Sequence, residues 1–188
     1  MIPSNAFTAT AQVDAFVPPV DDIYNPTTVR ASGGIAIGDG SRGREVQFWT
    51  ADYVAGAIVV TPALGGTGFT LTVAGVLTLS LAFDNAMRVV LGYMKDDGAY
   101  LYYYNSLTPA FETLYYATAT SCRVCVDDTA EFYNSASDVI FAYVAGGNLC
   151  WRQQRDRYAV ERVIGPATGK LVRVGLNRGN RLQFQLKD

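Results

Sequence analysis

The residues best equipped for chemistry are carboxylates: Asp84, Asp96, Asp97, Glu112, Asp127, Asp128, Asp138 and Glu161. Two facing carboxylates could cleave a glycosidic bond, one as acid and one as base or nucleophile. Asp84 and Asp127, however, each close an alternating apolar run, SLAFD and RVCVD, at positions 43 residues apart. Asp at that place commonly bonds the backbone amides of the following turn, so a structural use is expected for both. Histidine is absent from the chain. That excludes Ser-His-Asp triads, Cys-His pairs and His-ligated metals, and it removes the usual general base near neutral pH. No P-loop, dinucleotide fingerprint or nucleophile elbow is present; GGTG at 65–68 reads as a glycine-rich turn. No catalytic residue, metal or cofactor is expected.

Cys122 and Cys125 form a CxxC pair, with Cys150 the third cysteine. SCRVCVDD reads as a strand, on which residues three apart point to opposite faces. The expected role is that of small apolar core thiols, the alternative being a bridge from Cys122 or Cys125 to Cys150. The tyrosines at 100, 102, 103, 104, 115 and 116 could stack on sugars. On a strand Tyr102 and Tyr104 share a face and Tyr103 takes the other, so one set is expected in the core. The pair Tyr102 and Tyr104 is a candidate aromatic surface for a partner or a glycan.

Charge is divided along the chain. Residues 1–150 carry a net −8 and residues 151–188 a net +6, within a total of −2. The basic part includes Arg152, Arg155, Arg157, Arg178 and Arg181. These are candidate interface residues, since unlike ends suit head-to-tail packing of identical subunits. The acidic remainder and a pI near 5.1 disfavour nucleic-acid binding.

The elements that must position these residues are strands. With 12 Tyr, 9 Phe and 18 Gly, the composition favours an all-β fold. From Gly33 onward, short alternating runs are bounded by Gly, Asp and Asn, the pattern of antiparallel strands joined by tight turns. RVVLGYM (88–94) matches DVIFAYV (138–144), AYLYYY matches NLCWRQ, and FETLYY (111–116) matches VERVI (160–164). GIAIGD (34–39), EVQFWTADY (45–53), AIVVTP (57–62) and GFTLTV (68–73) form a weaker, earlier copy. The expectation is three blade-like meanders of about four strands each plus a C-terminal hairpin over 170–186. Three units do not close an ordinary propeller, so a partial propeller or a β-sandwich-like stack follows, with edge strands left for assembly.

The predicted domain spans 33–188. Residues 1–32 read as an extended arm, with Pro18-Pro19 and Pro26 opposing a helix. Its apolar residues, Phe7 and Phe16 foremost with Val13 and Val17, are candidates for docking on a neighbour by strand addition or apolar contact. No apolar run has bilayer length, and no Lys or Arg precedes Arg30, so neither a membrane span nor a secretory signal is expected.

SLAFD (80–84), RVVLGYM and LYYY, then SDVIFAYVAGGNLCWRQQRDRYAVE (137–161) and LVRVGLNRGNRLQFQL (171–186), together resemble a group of tailed-bacteriophage structural proteins. The resemblance runs from about Gly33 to the last residue and is densest over 137–186. It implies a virion protein of the tail, baseplate or neck, assembled in the host cytoplasm in several copies with other virion proteins. It carries over no catalytic residue. A receptor- or glycan-binding attachment module is the alternative expectation.

Overall fold

The computed structural model describes residues 29–37, 46–63, 65–127, 138–176 and 181–188. They form an all-β fold. In unit 1, β1 (Val29–Ile37), β2 (Val46–Val54), β3 (Ala57–Pro62) and β4 (Phe69–Thr72) pair antiparallel in chain order. Unit 2 repeats this with β5 (Thr78–Phe83), β6 (Val89–Lys95), β7 (Gly98–Asn105) and β8 (Ala110–Tyr116). Unit 3 does so with β9 (Ala119–Val126), β10 (Val139–Ala145), β11 (Asn148–Gln153) and β12 (Arg162–Pro166). A fourth layer is the hairpin of β13 (Lys170–Leu176) and β14 (Leu182–Lys187).

The three expected meanders and the hairpin are thus present. One boundary is corrected: β1 begins at Val29, so residues 29–32 belong to the first sheet and not to the arm. The ladder of β1 with β2 continues through Val29↔Tyr53 and Arg30↔Asp52, which ties that stretch to the sheet. The rest of the arm, including Phe7, Val13, Phe16 and Val17, lies outside the described residues, as does Arg178.

Tight turns hold each meander in register. Between β10 and β11 the two loop residues are Gly146 and Gly147, with φ of 56° and 74°. Positive φ at both positions gives the twist that a two-residue hairpin needs, and glycine reaches it without steric cost. At the start of β7, Gly98 has φ of 145°, and a Cβ there would lie 2.6 Å from the Tyr116 carbonyl oxygen. Only glycine allows β8 to run that close.

The sheets stack face to face with three cores between them. Units 1 and 2 enclose Ala51, Ile58, Val60, Leu79, Leu91 and Tyr93, among others. Units 2 and 3 enclose Val90, Leu101, Tyr103, Val139, Phe141 and Tyr143. Unit 3 and the hairpin enclose Ala142, Val144, Leu149, Leu171 and Val174. Units 2 and 3 are therefore covered on both faces, which is why β6 and β10 are each buried along six consecutive residues. Alternation of apolar and polar residues is a device for sheets with one wet face, and these two have none.

The first strands of the units line up in sequence. β5 packs between β1 and β9, and β9 packs against β13. Ser80 Oγ accepts the Val124 amide at 2.8 Å, linking β5 to β9. Arg123, which matches Ser80 in the repeat, donates its Nε to the Val172 carbonyl, linking β9 to β13. The Leu171 amide also donates to Ser121 Oγ at 2.8 Å. These bonds satisfy polar groups at layer junctions that burial would otherwise leave unpaired.

Candidate functional site

The candidate chemistry converges where β11 leaves unit 3. After Gln153 the chain makes a 3-10 turn at Gln154–Asp156, followed by Arg157 and Tyr158, both left-handed with φ of 55° and 59°. Two successive non-glycine residues in that region are strained, and such a conformation persists when its surroundings fix it. Here they do. The Arg157 and Tyr158 amides donate to the Gln154 and Gln153 carbonyls. The Tyr158 ring is buried edge-on to Tyr103 of unit 2, with centroids 4.9 Å apart.

The turn holds three carboxylates, one of unit 2 and two of its own unit 3. Asp84, buried at the end of β5, accepts the Ala86 and Arg88 amides at 2.9 and 2.8 Å. Its other oxygen accepts Arg88 Nε at 2.7 Å and Gln154 Nε2 at 3.1 Å. Asp127 accepts the Asp138 amide and, at 2.9 Å, an Arg155 terminal nitrogen. Asp138 accepts both the Arg155 amide and Arg155 Nε, the latter at 2.7 Å. The expected turn role is therefore seen for Asp84, with a cross-unit bond added by Gln154. Asp127 instead ties the end of β9 to the start of β10 and to Arg155, and the turn that follows it lies outside the described residues. Among the described residues no cluster of three or more His, Cys, Asp or Glu side chains is arranged to hold a metal.

A second polar group lies beneath the turn. Arg152 donates Nε to the Tyr143 hydroxyl, Nη1 to the Tyr158 and Ala159 carbonyls, and Nη2 to Glu161. Its guanidinium also covers the Tyr116 ring, 5.1 Å from the centroid. Glu161 accepts the Tyr143 hydroxyl, and that bond holds its carboxyl below the usual range. Burial, reinforced by the same bond, pushes the Tyr143 hydroxyl up. The Tyr116 hydroxyl rises to about 12, again chiefly through burial.

Two interface candidates have partners inside the chain. Arg152 is a half-buried brace with four of its guanidinium contacts made inside the chain. Arg155 keeps an exposed flank but is bound to Asp127 and Asp138. Arg157 is exposed on the turn, and Arg181 is exposed at the entry to β14. The aromatic surface is corrected. Tyr102 is 9% exposed, clustered with the rings of Phe69 and Phe111 at the core of units 1 and 2. Tyr104 is half-buried under the Arg88 guanidinium, 4.1 Å from its ring centroid. The alternation was read correctly, with Tyr102 and Tyr103 on opposite faces; both faces of β7 are covered because unit 2 is a middle layer.

What sequence reasoning missed is the outer rim. β8 exposes Phe111 and Tyr115, at 40% and 49%, while Val163 and Ile164 of β12 are 60% and 49% exposed. Both strands are the last of their sheets and have one unpaired edge among the described residues. The signal was present in the matched segments FETLYY and VERVI, whose apolar residues fall on both faces of a terminal strand.

The three cysteines are free and buried. Cys122 and Cys150 each stand opposite Tyr143, on its two neighbouring strands. Two strand spacings amount to about 9–10 Å, beyond the roughly 7 Å Cα limit for a disulfide. Burial pushes the Cys122 and Cys125 thiols up to about 12. Native protein at pH 8 is accordingly expected to resist Ellman's reagent, with all three thiols appearing in urea. Rapid labelling of the folded chain would contradict this burial.

The Tyr158 hydroxyl has no hydrogen-bond partner among the described residues, although it is buried. Removing such a group relieves an unmet desolvation cost, so Tyr158→Phe is expected to change stability by less than about 1 kcal/mol. Urea unfolding will test this, and a loss of several kcal/mol would reveal a bond to this hydroxyl.

Searches against protein-family models, curated proteins and solved structures found no match to this chain.

Proposed function

We propose that the chain is a multi-copy structural component of a tailed-bacteriophage virion, in the tail, baseplate or neck. The observation that carries the reading is the division of labour between interior and edge. The strongest polar constellations are satisfied inside the chain: Gln154 joins unit 3 to Asp84 of unit 2, the Arg152 guanidinium covers Tyr116 of unit 2, and the bonds of Asp138 and Glu161 brace unit 3 itself. The outer strands, by contrast, keep unpaired edges and exposed apolar side chains among the described residues. Exposed sheet edges are either protected or used in assembly. The carboxylates that could have formed a hydrolytic pair are tied to amides and guanidinium groups, which favours a structural role over a catalytic one. The sequence resemblance points the same way.

A glycan-binding attachment module is the second reading, favoured by the exposed rings of Phe111 and Tyr115 on the rim. Mass spectrometry of purified virions whose genome encodes the chain separates the two. The structural reading expects several copies per particle, and loss of particle incorporation with retained folding when residues 1–28 are deleted. Absence from particles would overturn it. Binding to a glycan array that disappears in Phe111→Ala and Tyr115→Ala variants would support attachment instead.

A further inference from the structure

The fourth layer has two strands among the described residues, where each other layer has four. β13 packs on β9 as β9 packs on β5, so β13 holds the first-strand place and β14 the second. In units 2 and 3 the second strand is flanked by strands on both sides. β14 is paired with β13 on one side only among the described residues. Its Leu182, Phe184 and Leu186 turn toward unit 3, while Gln183, Gln185 and Lys187 are exposed. Among the described residues no strand stands in the third place beside this edge, on the side of β11, where Trp151 packs with the hairpin and is half-buried beneath the Arg162 guanidinium at 4.9 Å.

The chain contains a segment of matching character. From Phe7 to Ala15, apolar residues (Phe7, Ala9, Ala11, Val13, Ala15) alternate without a break with polar ones (Thr8, Thr10, Gln12, Asp14). That is the period of a strand with one covered face. At about 3.3 Å per residue the segment is long enough to run the whole of β14. Its mostly small apolar face suits close approach to Trp151. Its polar face would extend the row of Gln183, Gln185 and Lys187, with Asp14 supplying the charge opposite to that of Lys187. Pro18-Pro19 follows and would end the ladder, since proline has no amide hydrogen to donate.

We propose that residues 7–15 of one copy add as a third strand to the free edge of β14 in a second copy. The inference rests on the proposed multi-copy assembly and names its contact. A donor in the same chain is the competing arrangement: β1 is in the first layer and β14 in the fourth, about 30 Å away at the usual 10 Å between packed sheets, and residues 16–28 would have to run nearly straight across, within their extended reach of about 43 Å. The unlike charges of the two ends favour the contact between copies, and a cross-link confined to monomers identifies the other. The contact is head-to-tail, joining the acidic part of one copy to the basic part of the next, and it propagates into a ring or a filament.

The test uses the full chain carrying Gln185→Cys with Thr8→Cys, Thr10→Cys or Gln12→Cys, oxidised gently and run on non-reducing gels. The native thiols are buried and do not compete. A ladder of dimers and higher species is expected from at least one pair. It should vanish when Ala11→Pro is added, or when the arm cysteine is replaced by Thr61→Cys on the exposed face of β3. Thermal melts establish that each variant folds. No cross-link with any of the three pairs, or a cross-link confined to monomers, overturns the inference. A chain present in virions that fails to cross-link refutes this contact alone. A ladder from a chain absent from virions refutes the virion reading alone.

Discussion

Asp84→Ala is expected to destabilise the fold by about 3–5 kcal/mol, the usual cost of removing one partner from a buried ion pair. The carboxylate is wholly covered and Arg88 is 30% exposed in its side chain, so water cannot readily replace the lost acceptor. Two amides, the Arg88 guanidinium and the Gln154 amide would lose their partner together. Because stabilities of single domains are about 5–15 kcal/mol, this is a large share of the total. The repeat-matched Asp127→Ala should cost less, about 1–2 kcal/mol, in keeping with ordinary hydrogen-bond deletions. Its ion-pair partner Arg155 is 57% exposed and retains Asp138. Urea unfolding of the two variants side by side is the measurement. Equal small losses would show that the Gln154 clasp between units 2 and 3 contributes little.

Phe141→Ala is expected to cost a further large amount, about 3–5 kcal/mol, through lost burial and the cavity left behind. Phe141 is 0% exposed at the middle of the core between units 2 and 3, with the Tyr116 and Tyr143 rings 5.1 and 5.3 Å away. It rests over Gly92, where a Cβ would already be 3.1 Å from Val124 and 3.5 Å from the Phe141 ring. The two sheets are therefore fitted closely at this point and cannot slide together to fill the space. Phe141→Leu should recover part of the loss. A fall in the denaturant midpoint without a change in slope would mark a local packing defect; a changed slope would mean that the layers come apart separately.

These two residues also show how far sequence reached. SLAFD and RVCVD, 43 residues apart, disclosed the repeat, and with it the strand count and the turn role of Asp84. Strand period and turn chemistry are local properties, so they can be read from neighbouring residues in the chain. The alternation of Tyr102 and Tyr103 between two faces was legible for the same reason. That both faces are buried was not, because it depends on units 1 and 3 covering unit 2, and that is a contact between residues far apart in sequence.

The basic segment illustrates the same division. Its composition displays Arg152, Arg155 and Arg157 as three equivalent charges on one stretch. Only the fold distinguishes them: the left-handed turn at Arg157 and Tyr158 brings Arg155 to Asp127 and Asp138, leaves Arg152 beneath, and exposes Arg157. Sequence alone determined an all-β chain of repeated meanders, because periodicity is written residue by residue. The tertiary structure decided which charges are braces and which aromatics are core, because burial belongs to the stacking of whole sheets.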